Sequence, residues 1–261
     1  MSIADAPAWL SGLIMILAFP LAVEAGFRLH KRTRRATDQG DDAGGVGHVI
    51  SAALALLGLL IGFTFMMAAE RYETRRQLVI QEANAISTTY LRAQMFDEPA
   101  RTRLTDLVAD YARQRLAFAA AGMDDARLDA VDTRTAALQT RLWGEIRTAL
   151  ATPQGAPLTT SMLQAANDMF DLAATRRAAL DARVPEGVFR MLAIFALATA
   201  AIMGYGLCAG GRRHGLLSSG LFVLVALTIA LIIDLDQPRS GSIRVSQVPL
   251  ERTVAPMLPR R

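Results

Sequence analysis

From Phe63 to Glu98 the chain contains neither glycine nor proline, and this stretch follows directly on an apolar run that begins at Ile50. A helix leaving a bilayer needs a breaker to turn aside, and none is present. Ile50 to about Met95 is therefore expected to form one helical rod passing from membrane into water, ~70 Å long. The rest of the chain is expected to pack around it.

The rod is two-sided. At about 100° per residue, Glu70, Glu73, Gln77, Gln81, Asn84 and Thr88 fall within one sector, and Tyr72, Val79, Ala83, Ile86 and Tyr90 fall opposite. The apolar face suits neighbouring helices; the stripe of carboxylates and amides requires water, cations or a polar partner. Traced back into the membrane, that stripe meets Leu59, Phe63 and Met66. As a pathway wall, these three would constrict and the polar stripe would form a vestibule; otherwise the stripe is a solvated face above side chains packed on lipid or helices.

Four spans account for a sequence that is 52% hydrophobic while carrying 20% charged residues. Residues 1–29 hold a leader and a first transmembrane helix, Ala8 to Leu29. It lacks the positive leader of a signal peptide and is too long for a signal core. A basic, Gly-rich loop is expected over 30–48 and the second span over 49–69. Residues 70–186 form an extramembrane helical domain. Beyond the end of the rod, Asp97-Glu98-Pro99 opens a helix with Leu104, Leu107, Val108, Tyr111 and Leu116 inward. A second follows on Leu128, Val131, Leu138, Leu142, Ile146 and Leu150, and a third on Leu163, Phe170, Ala174 and Leu180. The third span is 187–208, a short loop 209–215, the fourth span 216–233, and 234–261 reads as an extended tail. The fold class is an all-α integral membrane protein, four transmembrane helices in two pairs with the helical domain inserted between them.

Charge constrains partners more than topology. The net charge is only +4, Lys31 is the sole lysine, and no aromatics interleave with a basic face, which argues against nucleic acid. The positive-inside count makes the two short loops cytoplasmic. The arginines crowding the opposite membrane face nearly cancel that bias, so charge leaves the side of the helical domain open. The same face gathers Glu70, Glu73, Asp168, Asp171, Asp234 and Asp236. Arginines there are at least as numerous, so ion pairing among Arg71, Arg75, Arg76, Asp171, Arg176, Asp234, Asp236 and Arg239 is expected rather than a calcium site.

No catalytic constellation is visible. His30, His48 and His214 sit in or beside the expected loops without ligand spacing, and there is no glycine-framed serine, phosphate loop or paired-histidine helix. Neither enzyme, cofactor nor metal is expected. Cys208 lies in an apolar segment and reads as a small buried hydrophobe.

Three spaced blocks carry a resemblance. ERYETRRQLVIQEANAISTTYLRA (Glu70 to Ala93), NDMFDLAATRRAAL (Asn167 to Leu180) and IIDLDQPRSGSIRVSQ (Ile232 to Gln247) are similar to the signature of the bestrophin-like family of bacterial membrane proteins, a domain of unknown function. The resemblance implies a multi-pass protein of the bacterial inner membrane. Its architectural analogy to bestrophins implies a homo-oligomeric, pentameric ion channel in the lipid bilayer, its protein partner unknown. The alternative is a membrane-anchored structural or regulatory module acting through its helical domain. Glu70 and Glu73 at a pore mouth favour cations over anions unless an adjacent arginine neutralises them.

Overall fold

A computed structural model describes residues 8–34, 43–122, 124–153, 155–209, 215–238 and 240–257. The described residues are mostly helical, with no strands among them. The helices are α1 (Ala8–Arg34), α2 (Ala43–Ala93), α3 (Ala100–Ala120), α4 (Asp125–Leu150), α5 (Thr159–Asp181), α6 (Glu186–Ala209), α7 (Gly215–Asp236) and α8 (Val248–Val254). Four, α1, α2, α6 and α7, are long and apolar enough to cross a membrane. Two compact units result, one from Met1–Glu70 with Arg183–Ile243, the other from Arg71–Ala182 with Arg244–Arg261.

In the first unit α1 packs against both α6 and α7. Helices in lipid gain little from hydrophobic burial and associate through close backbone approach, which small residues permit. Gly26 and Gly204 provide it reciprocally: a Cβ on Gly26 would collide with the Ala201 carbonyl of α6, and one on Gly204 with the Val23 carbonyl of α1. Phe19 of α1 stacks on Phe222 of α7 with ring centroids 5.0 Å apart.

The end of α7 is organised by carboxylates. Asp236 accepts from the Val184 backbone N–H at 3.0 and 3.1 Å, just before α6 begins. Asp234 accepts from the Ser242 backbone N–H at 2.7 Å, its hydroxyl at 2.6 Å and the Ile243 N–H at 3.1 Å, folding the chain back after the span. Gly241 lies inside that turn, where a Cβ would meet the Asp234 and Gln237 carbonyls.

In the second unit, Val79, Ala83 and Ile86 of α2 join Leu104, Val108 and Tyr111 of α3, Leu142 and Ile146 of α4, and Met162, Ala166 and Met169 of α5 in one core. Asp124 caps α4, accepting from the Arg127 N–H at 3.1 Å, after a turn in which Gly122 adopts φ 62°.

Several expectations are corrected. The sequence predicts a first loop over 30–48, whereas α1 runs on to Arg34 and α2 already starts at Ala43. The polar run Lys31 to Arg34 continues α1, and Gly44, Gly45 and Gly47 sit inside the first turns of α2. His30 is therefore helical and buried, edge-on to Tyr205 with centroids 4.6 Å apart. The tail is not extended throughout: α8 follows Gln247, with Pro249 in its first turn, and Leu250 and Val254, one helical turn apart, enter the core of the second unit. On α5, Leu163, Phe170 and Leu180 pack partly buried against the core clusters as expected, Ala174 is exposed, and the fully buried positions are Met162, Ala165, Ala166, Met169, Ala173 and Arg176. The leader up to Pro7, His214 and Arg239 lie outside the described residues.

Candidate functional site

The longest helix is also the least covered. Helix α2 runs unbroken for 51 residues, as a glycine- and proline-free sequence beyond Phe63 allows. Its side chains sort by face. Leu59, Phe63 and Met66 are 52%, 60% and 67% exposed, values that large apolar side chains reach only where nothing in the same chain covers them. Glu70, Glu73, Gln77, Gln81, Asn84 and Thr88 continue the same sector and are all exposed. Across the helix Val79, Ala83 and Ile86 are buried. All nine residues thus share one uncovered face, apolar over its first two turns and polar beyond.

Helix α5 widens the polar part of that face. Gln81, Asn84 and Thr88 of α2 border a groove of 460 Å³ whose other wall includes Gln164, Asp168 and Asp171 of α5. Two contacts hold the helices side by side: Thr89 donates to the Ala165 carbonyl at 3.1 Å, and the Arg92 guanidinium donates to the Ser161 carbonyl. Asp168 and Asp171 point into this groove without an ion pair among the described residues. Sequence reasoning assigned the stripe to α2 alone; the amide and carboxylate spacing Gln164, Asp168, Asp171 was the available signal for the second wall.

Charge along the face is partly compensated. Arg76 closes on Glu73 at 2.9 Å, and Gln77 donates to the same carboxylate at 2.7 Å. Glu70 makes no ion pair among the described residues.

Among the described residues, one part of the expected charged network is a buried cluster around Arg176. Arg176 is engaged, but its carboxylate is Glu82, which also binds Arg115, and all three side chains are buried. Arg176 donates further to the Gln247 side chain, and both guanidiniums lie over the Phe118 ring, at 4.4 Å for Arg115 and 5.5 Å for Arg176. Asp171 is not part of it. Asp234 accepts from backbone and hydroxyl donors of the tail that folds back over it, and makes no ion pair among the described residues. Arg75 is buried, Arg71 is half-buried, and Arg76 stays with Glu73 at the surface. Glu82 and Arg115 were missed as a pair. Their signal was positional, since each is a charge in the buried phase of its helix, Glu82 between Val79 and Ile86, Arg115 between Tyr111 and Phe118.

Beside this cluster, burial pushes the Tyr111 phenol up to about 12. Its hydroxyl donates to the Met169 carbonyl at 3.4 Å. Among the described residues no three His, Cys, Asp or Glu side chains gather as a metal site requires.

A family model described as the Bestrophin-like domain matches residues 16–250. The fold resembles crystal structures of a bacterial bestrophin homolog from Klebsiella pneumoniae. For one point variant the TM-score is 0.67 at 14% identity, covering 97% of this chain and 99% of that one. For a second it is 0.66 at 14% identity, with the same coverage. A solved structure described as a membrane protein gives 0.66 at 14% identity over 97% of this chain and 98% of that one. No curated protein sequence matches the chain.

Proposed function

This chain belongs to the bestrophin-like domain family, and from that premise we propose that it is the subunit of an oligomeric ion channel. The channel is a ring of identical chains, about five, in a bacterial inner membrane. Helix α2 of each copy faces the common axis. Leu59, Phe63 and Met66 form an apolar constriction that passes ions only when wetted. Glu70, Glu73, Gln77, Gln81, Asn84 and Thr88, with Asp168 and Asp171 of α5, line the vestibule beyond it.

The observation that carries this reading is the uncovered face of α2. A ring of such helices gives its apolar part a dry constriction and its polar part water. An acidic vestibule concentrates cations and repels anions, so the permeant ions are cations.

Light scattering on the detergent-solubilised complex, with the detergent contribution subtracted, tests the assembly. A protein mass several times that of the 28.2 kDa chain is expected. A stable monomer in mild detergents overturns the shared pore and leaves a membrane-anchored module acting through its helical unit.

A further inference from the structure

In the first unit a cleft of 720 Å³ opens between α1, the first turns of α2 and α6. Gly26 and Leu29 line it from α1, Gly45 and Val49 from α2, Ile202 and Tyr205 from α6, and among the described residues no charged side chain lines it. We propose that this cleft binds one acyl chain of an anionic bilayer phospholipid, whose phosphate lies against Arg32. The proposal is independent of ion conduction.

Depth is the first support. Leu29 is five residues from the end of α1 at Arg34, Gly45 two from the start of α2, and Tyr205 four from the end of α6 at Ala209. The cleft therefore opens at the level where acyl chains meet headgroups. Its volume lies within the ~300–1,000 Å³ typical of small-molecule sites, and apolar walls disfavour water as the filling. Hydrocarbon is the available occupant at that depth.

The polar rim supplies the second support. Arg32 lies three residues beyond Leu29, on the same side of α1, and is exposed with no ion pair among the described residues. Its neighbours are engaged: Arg28 pairs with Glu24 at 2.8 Å, and the Lys31 ammonium sits 4.8 Å from the centre of the Phe27 ring. Next to it the Thr33 and Tyr205 hydroxyls lie 3.5 Å apart. His30, 9% exposed and edge-on to Tyr205, bonds through neither ring nitrogen to a described residue. An apolar slot with a nearby guanidinium that makes no ion pair among the described residues, and hydroxyls beside it, matches a molecule with a hydrocarbon chain and an anionic phosphate ester. A neutral hydrophobe leaves that rim unused.

Two variants of the full chain separate this from its rivals. A Cβ on Gly45 meets no atom within 4 Å, so Gly45→Leu fills the cleft without striking backbone. The unaltered protein in mild detergent is expected to carry about one phospholipid per chain by native mass spectrometry and lipid phosphorus, and Gly45→Leu about tenfold less. After delipidation and exposure to vesicles holding equal phosphatidylglycerol and phosphatidylethanolamine, the unaltered protein should recover mainly the former. The surface substitution Arg32→Gln should recover both equally. Equal retention by Gly45→Leu and the unaltered protein overturns the proposal, as does an unchanged headgroup preference in Arg32→Gln. If the unaltered complex carries no phospholipid while Gly45→Leu dissociates it, a second copy fills the cleft and the proposal is wrong.

Discussion

Glu82 of α2 and Arg176 of α5 meet in an ion pair inside the helical unit, their side chains 0% and 6% exposed. Arg115 of α3 binds the other carboxylate oxygen, so one buried anion holds two buried cations and three helices. Removing the carboxylate strands both guanidiniums. Glu82→Ala should cost ~3–5 kcal/mol, whereas replacing Glu82, Arg115 and Arg176 together by apolar residues of similar volume should cost far less. Thermal unfolding in detergent measures both. Equal losses would show that the cluster acts by packing and not by charge.

Phe63 is more than half exposed in the single chain, so Phe63→Ala removes little buried surface from it. Its melting temperature should change little while ion flux through reconstituted vesicles rises, since the constriction loses its largest side chain. A destabilised protein with unchanged flux would make Phe63 a packing residue.

Tyr111 gives the second unit a pH dependence at the alkaline end. The unfolded chain releases the phenolic proton near the usual ~10, the folded one at about 12. The unfolded state thus gains by ionising first. The stability due to the neutral phenol is complete below pH ~10 and is lost as pH rises through the folded value of about 12. Phenolate absorbance should show a late-titrating component, and Tyr111→Phe should remove it. A late component that persists in Tyr111→Phe, or none in the unaltered protein, would contradict its burial.

Much of this architecture was legible in the sequence because helical period and breakers are local signals. The two faces of α2 and the inward phases of α3 and α4 follow from spacing alone. What was not legible depended on tertiary approach. Backbone N–H groups of Val184, Ser242 and Ile243 reach Asp236 and Asp234, contacts that depend on how the tail and the start of α6 come together and not on any local spacing. Helix α8 lacks the length for a periodic signal, and α5 has alanines on both faces, which blurred its inward phase. The second wall of the polar groove required knowing that α5 lies beside α2.

Glycine spacing makes a prediction about the spans. Gly204→Ala sets a methyl group against the Val23 carbonyl and should cost ~1–3 kcal/mol. Gly62→Ala on α2 meets no atom of the chain within 4 Å and should leave the single chain as stable as before. Melting of the two variants in detergent, ranked in the reverse order, would contradict the packing of α1 on α6.

Selectivity should follow the groove carboxylates that make no ion pair among the described residues. Asp168→Asn combined with Asp171→Asn should move the reversal potential in a salt gradient toward anions. Glu73→Gln should do less, because Arg76 already offsets that charge. An unchanged potential in the double variant would place α5 outside the conducting path.

The central claim is that the uncovered face of α2 lines a water-filled path. It is tested most directly by ion flux through vesicles containing Phe63→Cys in a Cys208→Ala background, before and after a charged, membrane-impermeant thiol reagent. Flux should fall irreversibly in Phe63→Cys and stay constant in Cys208→Ala alone. No flux from a correctly assembled protein, or flux in Phe63→Cys untouched by the reagent, would contradict a pore along α2.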